Sequence, residues 1–476
     1  MNMTRCVSAL MALGLALGAC TPLAEVRIRN TEGDEAFLDD VQRRTFAWFW
    51  ETTADSTGLV PDRHPSRTFS SVAAVGFGLT AYGIGAERGY ITRVEAAERT
   101  LAALRFFWES PHGETPAGVI GHRGFFYHFL EFETGHRFRE TELSTIDTAL
   151  LMAGVLFAQS YYDQGEPAEA SIRAYADSLY RRVEWTWFQR DRAPLITMGW
   201  HPETGAFGQA AYQGYNEAMI LYLLALGSPT HPVDADVWEA YTGTYTWGDF
   251  YGQEHLQFSP MFGHQYSHVW VDFRGIQDAY MRGRGIDYFE NSRRATYAQQ
   301  AYAVANPGGF AGYGETIWGL TASDGPAGEE RLVGADTVRF QRYWARGASL
   351  EHINDDGTIA PTAAGGSIAF APEIVIPTLR AIRETYDAHL YNEYGFADAF
   401  NPTYTFVGGD IEFGHVDPVL GWFDSDRLGI DQGPIVAMIE NHQSGLVWEV
   451  MKRNPYLVRG LCRAGFAGGW LEGRCP

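Results

Sequence analysis

Along most of its length the chain alternates between two kinds of helical segment, and this alternation limits the possible folds more than any other feature. Segments of the first kind are amphipathic and cover residues 39–53, 92–110, 168–189, 235–246, 288–306 and 446–463. In the segment 92–110, Ala96, Leu101, Leu104 and Phe107 recur at helical spacing, while Arg93, Glu95, Glu98, Arg99 and Arg105 supply a charged face. Segments of the second kind start with polar residues and are then apolar nearly all round: 70–86, 144–161, 214–226, 272–281, 371–382 and 431–441. A helix apolar on every side has to be buried on every side. The alternation therefore predicts an all-α fold, an (α/α)6 barrel in which an outer ring of helices wraps an inner one. A general helical bundle or an α-solenoid is the competing arrangement. The barrel also explains how 476 residues can form one domain, although single cores usually stop growing near ~250–300 residues. Connections rich in Gly, Pro and aromatics (305–334, 355–372 and 400–421) are expected to wall a cleft at one end, with room for short strands.

The N-terminus reads as an export signal. Arg5 precedes an apolar run over 6–19 that is too short to span a bilayer. The run ends in Leu17-Gly18-Ala19-Cys20, which resembles a lipobox. That resemblance implies lipidation of Cys20, and Thr21 after it is compatible with transport to the outer membrane, facing the periplasm. A conventional signal peptide cut near Ala19 is the alternative. The expected organisation is a signal peptide with lipobox over 1–20, a tether over 21–30 and a single catalytic domain over 31–476. Two further cysteines, Cys462 and Cys475, are expected to pair in an oxidising compartment, with two free thiols as the alternative. No Cys-based metal site is visible.

Formal net charge is −22, without any offsetting Lys/Arg run, which argues against a nucleic-acid partner. The 14 Trp and 25 Tyr suit a carbohydrate binder, because the C–H faces of sugar rings stack on aromatic planes. Carboxylates stand at the starts of three apolar helical segments: Asp147 in Ser144-Thr145-Ile146-Asp147 with Glu142 before it, Glu217 in Gly214-Tyr215-Asn216-Glu217, and Asp431 in Gly429-Ile430-Asp431. If these helices start at one mouth, the acids converge, as cleavage of a glycosidic bond requires: one carboxyl donates a proton and another activates water or attacks. Each acid also has a structural reading. Asp147 fits a capping box, Asp431 a cap or turn before Pro434, and Glu142 a solvated stretch. Glu217 stands out because a lone structural Glu beside Ala218 and Met219 in a buried helix would be costly.

Candidate sugar contacts are Arg63, His122, Arg123, Tyr127, Trp200, His201, His264, Trp270, Tyr313, Glu315, Trp318 and Asp431, although each aromatic is as readily a core residue. His264 and His268 have the spacing of a zinc motif, but Gln265 replaces the catalytic Glu and no third ligand is evident. Asn354-Asp355-Asp356-Gly357 lacks the spaced ligands and closing Glu of a calcium loop. Neither a metal nor another cofactor is expected.

Four stretches carry a family resemblance: Phe69-Ser70-Ser71-Val72-Ala73-Ala74-Val75-Gly76-Phe77, Ser144-Thr145-Ile146-Asp147-Thr148-Ala149, Tyr215-Asn216-Glu217-Ala218-Met219 and Ile430-Asp431-Gln432-Gly433-Pro434. They resemble the bacterial glycoamylase-like family, which holds the endo-β-1,2-glucanases of glycoside hydrolase family 144. The resemblance implies an (α/α)6 barrel and hydrolysis of β-1,2-glucan with inversion and without a metal. It places the essential acids on Glu217 as acid and on Glu142 or Asp147 as the group that positions and deprotonates water. The rival readings are a non-catalytic glucan-binding lipoprotein, which would bind without making new chain ends, and a lyase or epimerase on the same barrel. A lyase would need basic residues opposite a uronic acid, and none are evident.

Overall fold

The computed structural model describes residues 23–66, 69–190 and 192–475. Cys20 and the export signal lie outside the described residues. The chain divides into two units, Met1–Asp39 and Asp40–Pro476, and the site and its surroundings belong to the second. The first helix is Leu23–Thr52, so helical structure starts well before Asp39 and takes in most of the expected tether. Among the described residues, no helix is long and apolar enough to cross a membrane.

Helices of both expected kinds are present. Val72–Glu87 and Thr145–Tyr161 are buried along nearly their whole length, as is Gly429–Gln443. Arg93–Glu109 and Pro167–Arg182 are amphipathic. Local chemistry sets their ends. Thr92 and Glu95 form a reciprocal capping box, and Ser71 and Ser144 each accept an N–H from the first turn they precede. Val72–Glu87 and Thr145–Tyr161 meet backbone to backbone. A Cβ on Gly76 would lie 2.2 Å from the Leu150 carbonyl oxygen, and one on Gly154 would lie 2.1 Å from that of Gly76. Glycine is required here by proximity, since no side chain can swing away from a main-chain atom.

Three segments differ from the sequence expectation. Residues 272–281 are not one helix: Tyr266–Trp270 ends early, and Asp278 caps a new helix, Ala279–Arg284, by accepting from Met281 N–H. Pro372–Leu390 is amphipathic, whereas an apolar helix was expected there. The segment 446–463 is two helices, Leu446–Met451 and Pro455–Arg463, because Pro455 cannot continue the first and Asn454 caps the second.

The fold is not purely α. Short strands occupy many connections, where Gly, Pro and alternating aromatics cannot sustain a helix. The strands Gly121–His122, Phe125–Tyr127, Leu143–Ser144, Gly199–His201 and Ala206–Phe207 form one antiparallel sheet in that order. Arg63–His64 pairs with Arg427–Leu428. Farther out, Glu329–Val333 and Asp336–Phe340 form a hairpin. Cys462 and Cys475 are disulfide-bonded, with Cα atoms 5.3 Å apart. A loop of that length is stabilised by about 3 kcal/mol in the chain-entropy account.

Because the Gly76–Gly154 contact involves main chain, Gly154→Val should force the two helices apart. A lowered melting temperature is expected, corresponding to at least about 1–3 kcal/mol. Gly165→Ala has open space around the added methyl and should leave the temperature unchanged. Equal thermal unfolding curves for both variants would refute the close approach.

Candidate active site

The five-stranded sheet and the helix Thr145–Tyr161 build one side of the site. Tyr127 pairs with Leu143, and Leu143 pairs with Trp200 on its other flank. Residues just beyond these pairs are thereby brought together: His128, Glu142 and His201. His128 N–H donates to the Glu142 carbonyl at 3.0 Å. The His128 Nδ1 lies 2.8 Å from Glu142 Oε1, and Nε2 lies 3.5 Å from Asp147 Oδ1. The His128 and Glu142 side chains are 31% and 34% exposed, so this pair faces an opening, while Asp147 is only 4% exposed. Ser144 Oγ accepts from the Asp147 N–H at 3.2 Å and its hydroxyl donates to the Asp147 carboxylate.

The groups titrate differently. Burial raises Glu142, but the hydrogen bond and charge of His128, its own N–H and the nearby His201 hold it below the usual carboxylate range. For Asp147, burial outweighs the help from His128 and Ser144, and its pKa is raised. Burial opposes the imidazolium of His128, yet Asp147, Glu142 and Asp62 together push it up to about 9.

Glu217 arrives from another direction, just before the helix Met219–Gly227, whose residues are all buried. The turn holding it is fixed by Asn216, whose Oδ1 accepts from Ala218 N–H and Tyr241 Oη, each at 3.0 Å. Ser267 Oγ donates to the Glu217 carbonyl at 2.9 Å. Burial pushes the Glu217 carboxyl up to about 7, with the charge of Asp147 adding and its own N–H opposing. Tyr212, raised mainly by burial, also feels Glu217, Asp147 and Glu142. Asp147 thus acts on Glu217 and is itself acted on by Glu142, and Tyr212 feels all three.

A second group of acids adjoins it through Asp62 and Arg63. Arg63 Nη1 lies 2.7 Å from Asp324 Oδ2, and its Nε lies 3.3 Å from Asp62 Oδ2. Asp324 N–H donates to Asp398 at 2.8 Å, Ser66 N–H to Asp426 at 2.9 Å, and Asp426 N–H to Asp424 at 3.1 Å. Asp431, in the first turn of Gly429–Gln443, joins this group. Burial raises Asp324, Asp398, Asp424 and Asp431, and repulsion from neighbouring carboxylates adds to it at Asp324, Asp424 and Asp431. Asp324, Asp424 and Asp426 place one oxygen each within 4.8 Å of one another and could hold a metal ion. An all-oxygen set suits a hard cation such as Ca2+ or Mg2+. Tyr266, raised by its burial, feels both Asp431 and Glu217, which ties the two acid groups to one region.

The other predicted sugar contacts separate. Arg63 and His201 join the acids as described. His122 stacks on Trp200 with centroids 5.5 Å apart, and both rings pack edge-on to Trp187. Arg123 is engaged by Glu184 at 2.7 Å. Four residues belong to the interior instead of the site. Tyr127 lies under Arg137, His264 packs on Tyr215, Trp270 stacks on Phe77 and donates to Thr80, and Trp318 is fully buried. Tyr313 donates to Asp355 at 2.7 Å, and Glu315 is exposed, its carbonyl accepting from Gln300. Sequence reasoning missed Asp62, Asp324, Asp398, Asp424 and Asp426, and took His128 only as one residue of a mixed aromatic and polar stretch, 122–128, that would contact sugar. Asp424-Ser425-Asp426 was visible as a pair of acids, but nothing local marked the group that it would join.

The chain resembles known proteins over most of its length. The family model Glycoamylase, described as "Putative glucoamylase", matches residues 209–455. A Bacteroides uniformis crystal structure of the same description is 30% identical, with a TM-score of 0.77, covering 92% of this chain and 99% of that one. The endo-β-1,2-glucanase of Chitinophaga pinensis, solved with sophorotriose and glucose, is 26% identical with a TM-score of 0.76, covering 92% and 99%. A curated relative, the exo β-1,2-glucooligosaccharide sophorohydrolase (non-reducing end) of Parabacteroides distasonis, is 29% identical over 464 residues. That match covers 90% of this chain and 57% of the relative, so the chain spans little more than half of that protein's length. By the extent of these matches, the chain belongs to the glycoamylase family.

Proposed function

We propose that the protein is a glycoside hydrolase acting on β-1,2-linked glucan or its oligosaccharides, by general acid/base catalysis with inversion. The observation that carries this reading is the opposed titration of two acids in one site, Glu217 pushed up to about 7 and Glu142 held low. Carboxyl groups driven apart in this way take the acid and base roles. The relatives that act on β-1,2-glucan and its oligosaccharides supply the linkage. Glu217, protonated in good part up to about pH 7, donates to the leaving glycosidic oxygen. Glu142, ionised and held by His128, accepts a proton from the attacking water, which enters from the opposite face of the sugar and inverts the anomeric carbon. Burial favours the protonated form of Glu217, and the charge of Asp147 adds to it. Arg63 and Asp431 are assigned to sugar hydroxyls. In this reading the apolar helices Val72–Glu87, Thr145–Tyr161 and Gly429–Gln443 belong to the inner ring of an (α/α)6 barrel, with the site at the end where they begin.

Digestion of β-1,2-glucan should release short β-1,2-linked oligosaccharides whose new reducing ends first appear as the α-anomer by NMR. Glu217→Gln should cut kcat by about 10²–10⁴-fold while retaining glucan binding. Full turnover by that variant would remove Glu217 from the mechanism. The dependence of kcat/KM on pH should be bell-shaped. Activity needs Glu142 ionised and Glu217 protonated, so it is present above the lowered Glu142 pKa and falls as pH rises through about 7. A profile flat from pH 6 to 9 would contradict the assignment. We also propose that Cys20 is lipidated and anchors the protein to the outer membrane, on the strength of Leu17-Gly18-Ala19-Cys20. Cys20→Ser should then abolish incorporation of labelled palmitate and release the protein from the membrane fraction, and continued labelling would exclude this anchor.

A further inference from the structure

His128 has no role in the reading above beyond touching Glu142, yet its geometry is more demanding than that. Its main chain is tied on both sides: its N–H donates to the Glu142 carbonyl at 3.0 Å, and its carbonyl accepts from Val72 N–H at 3.2 Å. Its ring lies on Phe129, centroids 3.9 Å apart and planes 23° apart, which fixes the direction of both nitrogens. Each nitrogen faces a different carboxylate, Nδ1 toward Glu142 and Nε2 toward Asp147. A neutral imidazole has one N–H and one lone pair, so it can serve one carboxylate and would turn its lone pair on the other. Only the imidazolium presents an N–H to both, hydrogen-bonding Glu142 at 2.8 Å and facing Asp147 at 3.5 Å. Asp62 is the third charged group acting on the ring, and it is an acid as well.

We propose that His128 is a positioning residue: a cationic bridge that spans Glu142 and Asp147, aims the Glu142 carboxylate and keeps it ionised while Glu217 remains the proton donor. This rests on the assignment of Glu142 as base. The bridge explains how two acids in adjoining positions can differ. Glu142, hydrogen-bonded at 2.8 Å, is pulled low, whereas Asp147, farther from the ring at 3.5 Å and more deeply buried, is not. It also couples the base to the neighbouring acid group, because Asp62 feels His128 and Asp147 as well as Arg63.

Removing the bridge should act on the chemistry more than on binding. In His128→Asn, kcat should fall about 100-fold, as expected for a misaimed catalytic group, with KM nearly unchanged. The acid limb of kcat/KM should move upward by about one pH unit or more as Glu142 loses its cation, while the alkaline limb set by Glu217 stays in place. Imidazole added to His128→Ala should restore part of kcat. A folded His128→Asn enzyme with its acid limb unmoved would overturn the proposal, since a merely structural residue would leave that limb where it is. A second measurement is independent of turnover, and its deciding value is read in the protein with every residue in place. The His128 ring is titrated by NMR in the otherwise intact protein and in Glu142→Gln. An imidazolium persisting to about pH 9 is expected in the intact protein, with a lower midpoint in Glu142→Gln. A midpoint below 7 in the intact protein would sink the bridge. If no glucan is cleaved, the functional reading fails, and this titration still decides His128.

Discussion

The site depends on the register of one short strand. Leu143–Ser144 lies between Phe125–Tyr127 and Gly199–His201 and then runs directly into the helix Thr145–Tyr161. Side chains alternate along a strand, so a slip of one residue would turn Glu142 away from His128. The same two-residue strand also starts a helix, with Ser144 serving as the last strand residue and the cap. A few main-chain hydrogen bonds thus set the strand pairing, the helix start and the relative position of Glu142 and Asp147. The close Gly76–Gly154 packing then holds that helix against Val72–Glu87, so the capped end has little freedom to drift.

Around this frame the charge balance is unusual. Asp62, Asp324, Asp398, Asp424, Asp426 and Asp431 are all buried, and Arg63 is the cation that repeatedly enters their interactions. Burial raises five of them, and the charge of neighbouring carboxylates adds to it at Asp62, Asp324, Asp424 and Asp431. A polar, hydroxyl-rich ligand suits such a surface better than an anionic one, because hydroxyl groups donate to carboxylates without bringing further negative charge. The acidic character of the whole chain therefore recurs, concentrated, among these residues.

Much of this was legible in the sequence, for reasons that can be stated. Helices apolar on every face announce burial, so Val72–Glu87 and Thr145–Tyr161 were readable from pattern alone. Glu217 drew attention because an acid beside Ala218 and Met219 has no cheap structural explanation, and burial does raise its carboxyl. What could not be read was convergence through sheets. His128 lies in a run of aromatics, and its meeting with Glu142 is made by strand pairing that no local pattern marks. The same limit explains the misplaced aromatics: Trp270 and Trp318 have the composition of a sugar platform, but Phe77 and the surrounding core claim Trp270, and Trp318 is buried outright. The segment 272–281 failed for another reason, since Asp278 was available as a cap and a cap inside an apolar run divides a helix.

The division of labour between the acids follows from where each stands relative to its helix. A carboxylate within the first turn is favoured in its charged form by the free N–H groups there, which would work against a proton donor at neutral pH. Glu217 avoids this because the helix proper begins at Met219, with Ala218 at the cap and no side-chain hydrogen bond closing it. It stands just outside the turn, beside apolar residues, with no Arg, Lys or His among the groups that shift it, so burial dominates. Asp147 is inside the first turn of its own helix, yet its carboxylate is occupied by the Ser144 hydroxyl, and burial still raises it. Glu142 precedes the helix altogether, at an open edge next to a cation. The neighbouring His128, which Glu217 lacks, holds Glu142 low while burial raises Glu217, with no difference in side-chain chemistry between the two acids.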